Sequence, residues 1–178
     1  LFYLGAELAG SKKTKLEKVR AIYDYVLNNM YYDKTIPGWG LGDTQRACLV
    51  GQGNCTDFHS LFISLIRSLG IPAKFVMGFL IPEAPEGELN GYHCWAKFYL
   101  AGKGWIPVDI SEAWKDRVRA DYYFGTCCEN RVEFSEGRDI ILEPPQKNGS
   151  LNYFIYPYCE VDGKLYAPVE KHFKFKNL

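Results

Sequence analysis

Gly51-Gln52-Gly53-Asn54-Cys55-Thr56-Asp57-Phe58-His59-Ser60-Leu61-Phe62-Ile63-Ser64-Leu65-Ile66-Arg67-Ser68-Leu69-Gly70-Ile71-Pro72 is the stretch whose reading fixes the fold. Phe58, Leu61, Phe62, Leu65, Ile66 and Leu69 recur at intervals of three and four, the spacing of a helix that buries one side. Gly70 stands where a left-handed C-terminal cap belongs, and Pro72 just beyond it cannot continue the helix. Cys55 therefore falls at the helix start, where partial positive charge and unpaired backbone N–H groups stabilise a thiolate. Gly51 and Gly53 let the backbone approach a substrate, and the Cys55 N–H would face an oxyanion formed in acyl transfer. A purely structural cysteine lies more often mid-helix or within a strand, among apolar neighbours.

On the N-terminal side, Leu16, Val19, Tyr23, Val26 and Met30 predict a helix over Thr14 to Met30, capped by Ser11 or Thr14. Pro37, Gly38, Gly40, Gly42, Gly51 and Gly53 then predict one long irregular stretch ending at Cys55, of the kind that is usually functional or disordered. On the C-terminal side, Ala73 to Leu80 reads as a strand and Pro82 to Gly91 as an exposed loop. Tyr92 to Leu100 and Trp105 to Ile110 read as an antiparallel hairpin folded about Gly102-Lys103-Gly104, with Pro107 at an edge or bulge. Trp114 to Tyr122 reads as a short helix. Arg131 to Phe134, Ile140 to Leu142, Leu151 to Val161 and Lys164 to Phe175 read as strands, the last two joined at Asp162-Gly163. Helices first and strands after imply an α+β fold with an antiparallel sheet, and the length suits a single domain over 1–178.

A thiol nucleophile needs a base. His93 opens the first hairpin strand at the rim of the sheet, and Asp109 on the returning strand comes within a couple of residues of it. A carboxylate beside an imidazole fixes its tautomer and stabilises imidazolium. Taken singly, each has an ordinary alternative: His93 as a polar strand residue, Asp109 as a strand-end cap. A zinc site would instead use Cys55, His59, His93 and Cys94, but Cys94 alternates to the opposite strand face from His93, which disfavours joint ligation.

Gly53-Asn54-Cys55-Thr56-Asp57, the run Leu65 to Lys74, Tyr92-His93-Cys94-Trp95-Ala96 and Gly104-Trp105-Ile106-Pro107-Val108-Asp109 together resemble the transglutaminase-like superfamily, a papain-like cysteine protease fold, over Leu16 to about Ser111. The resemblance implies Cys55 as nucleophile, His93 as general base and then acid, and Asp109 as the group that orients His93. It makes Trp95 and Trp105 structural. For the second oxyanion donor it leaves Gln52 and Trp39 both open. It implies a catalytic core of about 14–111 and a strand-rich extension over 112–178, of the prokaryotic single-domain type, with hydrolysis of an amide in a peptide or protein expected ahead of transamidation. A catalytically silent binding or structural module is the rival reading.

Composition bounds the partners. Lys and Arg number 21 and so do Asp and Glu, so no net field draws the chain to a polyanion, and nucleic acid is not expected. No apolar run reaches the length of a membrane span. Nothing resembles an EF-hand loop, and neither metal nor organic cofactor is expected. Six cysteines without a C-x-x-C pair favour free thiols over a disulfide framework. The start at Leu1 rather than Met suggests a trimmed N-terminus, and an exported or periplasmic setting is preferred.

Overall fold

The computed structural model describes residues 1–177; the single domain expected over 1–178 thus includes one residue, Leu178, outside the described residues. In chain order the elements are α1 (Phe2–Ala9), α2 (Lys15–Asn29), β1 (Tyr31–Tyr32), α3 (Thr44–Val50), β2 (Gln52–Gly53), α4 (Cys55–Ser68) and β3 (Ala73–Leu80). There follow β4 (Glu86–Glu88), β5 (His93–Leu100), β6 (Gly104–Val108), α5 (Ile110–Lys115), β7 (Arg131–Glu136), β8 (Glu160–Val161), β9 (Lys164–Leu165) and β10 (Lys174–Lys176). This mixture of helix and antiparallel strand is the expected α+β class. The chain forms two compact units, Leu1–Phe75 with Cys94–Cys127, and Val76–His93 with the residues from Cys128 onward.

In the first unit α4 is the central helix, packed by α1, α2, α3 and α5. Phe58, Leu61, Phe62, Leu65 and Ile66 are buried along it, as the spacing predicts, and Val19, Ile22, Tyr23 and Val26 of α2 are buried with them. Thr14, rather than Ser11, caps α2: its hydroxyl accepts the Glu17 N–H while the Glu17 carboxylate accepts the Thr14 N–H. Gly70 ends α4 with φ 70°, the left-handed cap expected of it. α1 approaches α4 so closely that a side chain at Gly5 would meet Ser68 Oγ at 2.6 Å. The β5–β6 hairpin runs from Ala96↔Val108 to Leu100↔Gly104, and its turn places Gly102 and Gly104 at positive φ.

Three expectations in this unit need correction. The stretch after Pro37 is not wholly irregular: Asp43 accepts the Arg46 N–H at 3.0 Å and caps α3, Gly51 stops it at φ 66°, and β1 pairs in parallel with β2. The cap and stop signals stand in the sequence, but seven residues show too little periodicity to reveal a helix. The strand read to Ile110 ends at Val108, because Asp109 turns its carboxylate onto the Glu112 N–H and becomes the N-cap of α5. For the same reason the helix expected over Trp114 to Tyr122 begins at Ile110 and ends at Lys115, followed by a 3₁₀ turn at Arg117–Arg119.

In the second unit β3 pairs antiparallel with β7, from Val76↔Glu136 to Leu80↔Arg131, with a register shift at Met77/Gly78. β4 pairs with β10, and β8 with β9 about the Asp162-Gly163 turn. The long strands expected over Leu151 to Val161 and Lys164 to Phe175 shrink to these two-residue ends plus β10, and Ile140 to Leu142 to a single bridge between Ile140 and Leu151. Pro157 and Pro168 lack N–H donors, and the aromatic residues that suggested strands pack instead on rings: Tyr153 on Tyr92, Tyr156 and Phe79 on Phe173. No helix among the described residues is long and apolar enough to cross a membrane.

Because Asn54 is buried and its amide oxygen accepts the Thr56 N–H at 2.9 Å, Asn54→Ala should destabilise the protein by about 1–2 kcal/mol. Urea denaturation should show a lower midpoint with an unchanged slope.

Candidate functional site

Cys55 is the first residue of α4, and the geometry around it is set by the residues on either side. Asn54 and Asp57 form a reciprocal capping box, the Asn54 side chain bonding the N–H groups of the first turn and Asp57 Oδ2 accepting the Asn54 N–H at 2.9 Å. The same buried carboxylate accepts the N–H of Gly40 at 2.7 Å and of Gly42 at 3.1 Å, fastening the glycine loop around Trp39 to the helix start. A carboxylate buried at a helix N-terminus and met by backbone donors is stabilised both by those bonds and by the helix dipole. Gly53 must be glycine here, since a Cβ would lie 2.2 Å from Asp57 Oδ2. Tyr31 and Asp33 donate their N–H groups to the carbonyls of Gly51 and Gly53, so β1 holds the backbone that leads into Cys55.

Asp109 lies in the same unit and is fully buried. Its Oδ1 accepts the Ser111 hydroxyl at 2.9 Å and the Glu112 N–H at 3.0 Å, and its own N–H donates to the Tyr123 carbonyl. His93, also buried, belongs to the second unit and opens β5 one residue before Cys94. Gln52 is half-buried in β2, its carbonyl accepting from Arg46, while Trp39 is 39% exposed on the glycine loop with Lys34 Nζ 5.8 Å from its ring centroid.

Three residues of this neighbourhood escaped the sequence reading or were given other roles. His59, one turn after Cys55, has Nδ1 2.7 Å from the Cys55 carbonyl oxygen and Nε2 3.0 Å from the Ile110 backbone nitrogen. Since both ring nitrogens are engaged, neither offers a lone pair to zinc, and no group of three or more His, Cys, Asp or Glu among the described residues is arranged to hold a metal. Cys94 is fully buried with Sγ 3.8 Å from Thr56 Oγ1 and 3.8 Å from His59 Nδ1. Burial, followed by its hydrogen bond to Cys55, pushes the Cys94 thiol well above the ordinary thiol range. Tyr32 is the third. Burial first, then the charges of Cys55, Cys94, Glu112 and Asp109, push its hydroxyl up, so it stays protonated. Its only sequence signal is an aromatic pair at the end of α2; the parallel pairing that aims it is tertiary.

Cys94 is kept protonated by burial, while Cys55, itself buried, is the first residue of a capped helix, whose dipole favours a thiolate.

The model of the family described as the transglutaminase-like superfamily matches residues 3–110. An uncharacterized protein of Haemophilus influenzae is 33% identical over 190 residues, covering 88% of this chain and 52% of its own length. YebA, an uncharacterized protein of Bacillus subtilis, is 30% identical over 121 residues, covering 60% of this chain and 16% of its own length. The chain thus spans about half, or less, of the curated relatives it matches. Among solved structures, a protein of Cytophaga hutchinsonii provisionally described as a cysteine protease superposes with a TM-score of 0.59 at 24% identity, covering 77% of this chain and 41% of that one. The periplasmic domain of TgpA from Pseudomonas aeruginosa superposes with a TM-score of 0.52 at 20% identity, covering 67% and 44%. Both are likenesses of fold.

Gly53→Ala should destabilise the protein by about 1–3 kcal/mol, because the added methyl collides with the Asp57 carboxylate. Gly91→Ala, which meets nothing within 4 Å, should leave the melting temperature unchanged and serves as the control.

Proposed function

Because the chain belongs to the transglutaminase-like superfamily, we propose that it is a thiol enzyme of the cysteine peptidase or amidase type, in which Cys55 attacks an amide carbonyl of a peptide or protein. The observation that carries this reading is the placement of Cys55 at the capped start of α4, in the unit that also holds the buried carboxylate of Asp109. His93 enters as the base because it precedes, along β5, the cysteine whose sulfur packs on Thr56 and His59 of the nucleophile helix.

In the proposed cycle His93 takes the Cys55 proton and the thiolate adds to the carbonyl carbon, moving the C=O electron pair onto oxygen. The Cys55 N–H meets that oxyanion. Collapse of the adduct breaks the C–N bond, and imidazolium gives its proton to the departing amine. His93 then takes a proton from water as its oxygen adds to the acyl carbon; the C–S bond breaks, the acid leaves, and the imidazolium returns its proton to the sulfur. Asp109 keeps the imidazole in the required tautomer throughout. In place of Gln52 or Trp39, the Tyr32 hydroxyl is the second donor in this reading: Tyr32 pairs with Gly53, two residues before Cys55, and its hydroxyl is held protonated. An exported or periplasmic location belongs to the same proposal, the compartment that the Pseudomonas neighbour's description carries, and cell fractionation checks it.

A panel of acyl-amide substrates tests the chemistry. Cys55→Ala should abolish turnover, and Asp109→Asn should lower kcat by orders of magnitude with the fold kept. Tyr32→Phe should cost on the order of 100-fold in kcat, far more than Gln52→Ala. A Cys55→Ala protein with undiminished turnover would refute the mechanism, and a primary amine captured in place of water would reassign the enzyme as a transamidase.

A further inference from the structure

His59 is fully buried, and the hydrogen bonds it makes fix its chemical state. The Ile110 backbone nitrogen, 3.0 Å from Nε2, can only donate, so Nε2 accepts. In the neutral ring the proton then sits on Nδ1, which donates to the Cys55 carbonyl oxygen at 2.7 Å. A carbonyl has two lone pairs, so this bond coexists with the helical one. The ring also lies against the groups around it: Cys94 Sγ is 3.8 Å from Nδ1, and Asp109 Oδ1 is 3.7 Å from Nε2.

A side chain that merely filled this space would be better apolar, since two buried ring nitrogens cost stability unless each finds a partner. Both partners here are backbone groups of the proposed machinery, one at Cys55 and one immediately after Asp109. Asp109 is fastened within its own segment by Ser111, Glu112 and Tyr123. His59 is a hydrogen-bonded tie from that segment to the Cys55 turn.

We propose that His59 is a positioning residue of the thiol site: a neutral imidazole, protonated on Nδ1, that sets the spacing between the Cys55 turn and the Asp109 carboxylate. The inference rests on the reading of Cys55 as nucleophile and Asp109 as orienter. With its lone pair given to Ile110 and its proton to the Cys55 carbonyl, His59 leaves acid and base work to His93. Its contribution is distance, and a displacement of about 1 Å in such a constellation costs on the order of 100-fold in rate.

The experiment has two arms. In the wild-type protein labelled with nitrogen-15, imidazole spectra at neutral pH should show His59 neutral with its proton on Nδ1, assigned by comparison with His93→Gln and His172→Gln. A charged ring, or a proton on Nε2, overturns the proposal whatever the activity. In the second arm Cys55 alkylation by iodoacetamide is followed by peptide mass mapping, with Cys48 as the internal reference, in wild type, His59→Leu and His59→Gln. Leu should slow Cys55 about 10–100-fold relative to Cys48 and lower kcat with little change in KM. Gln, whose amide oxygen can accept the Ile110 N–H, should recover most of both. A folded His59→Leu protein with wild-type Cys55 reactivity overturns the positioning role and leaves the nucleophile reading standing. A wild-type Cys55 no faster than Cys48 removes the nucleophile reading, and the positioning role with it.

Discussion

The carboxylate of Asp57 is the constraint from which the rest of the site follows. It is fully buried, and it is met by the N–H groups of Gly40, Gly42 and Asn54 at 2.7 to 3.1 Å. A buried charge is tolerable only when its oxygens are satisfied, and here they are satisfied by backbone N–H groups of two segments that precede Cys55. One is the glycine loop and the other is the residue just before Cys55. The direction in which α4 starts, the approach of Gly53 and the exposure of Trp39 on its loop are consequences of where those donors must lie. Gly53 serves the carboxylate by leaving room for it.

The same local device is used a second time, at the start of α5. Asp109 caps α5 as Asn54 caps α4, and each cap sits next to a residue with a proposed chemical role or carries that role itself. A capping carboxylate has one oxygen turned to its helix, which in Asp109 is Oδ1, and its position is thereby fixed by the helix rather than by its own rotamer freedom. His59 joins the two caps through backbone groups at Cys55 and Ile110. Rigid elements meeting through satisfied polar groups are what a thiol site requires, because its chemistry depends on distances that propensity alone cannot hold.

Much of this was legible in the sequence. The stripe from Phe58 to Leu69, the Gly70 stop and the Gly102-centred hairpin each carry a local signal strong enough to survive folding, and they deliver Cys55 to a helix start. What escaped was tertiary. Asp57 reads as an ordinary first-turn acid until the glycine loop folds back on it, and His59 reads as a surface or core residue until Ile110 arrives from a point 51 residues away. Tyr32 is aimed by a two-residue parallel pairing that no periodicity reports. The C-terminal stretch misled in the opposite sense: Tyr153, Tyr156 and Phe173 have strand propensity, but their rings pack on one another and on Tyr92 and Phe79 while the backbone stays largely unladdered.

The central claim is that the sulfur of Cys55 becomes covalently acylated. Acid quenching of the protein during reaction with an activated acyl substrate, followed by peptide mass analysis, reads this directly. The account predicts an acyl group on the peptide carrying Cys55, formed before steady state and lost on longer incubation, with the peptide carrying Cys94 unmodified. An acyl group on any other residue, or product release with Cys55 never modified, would contradict it.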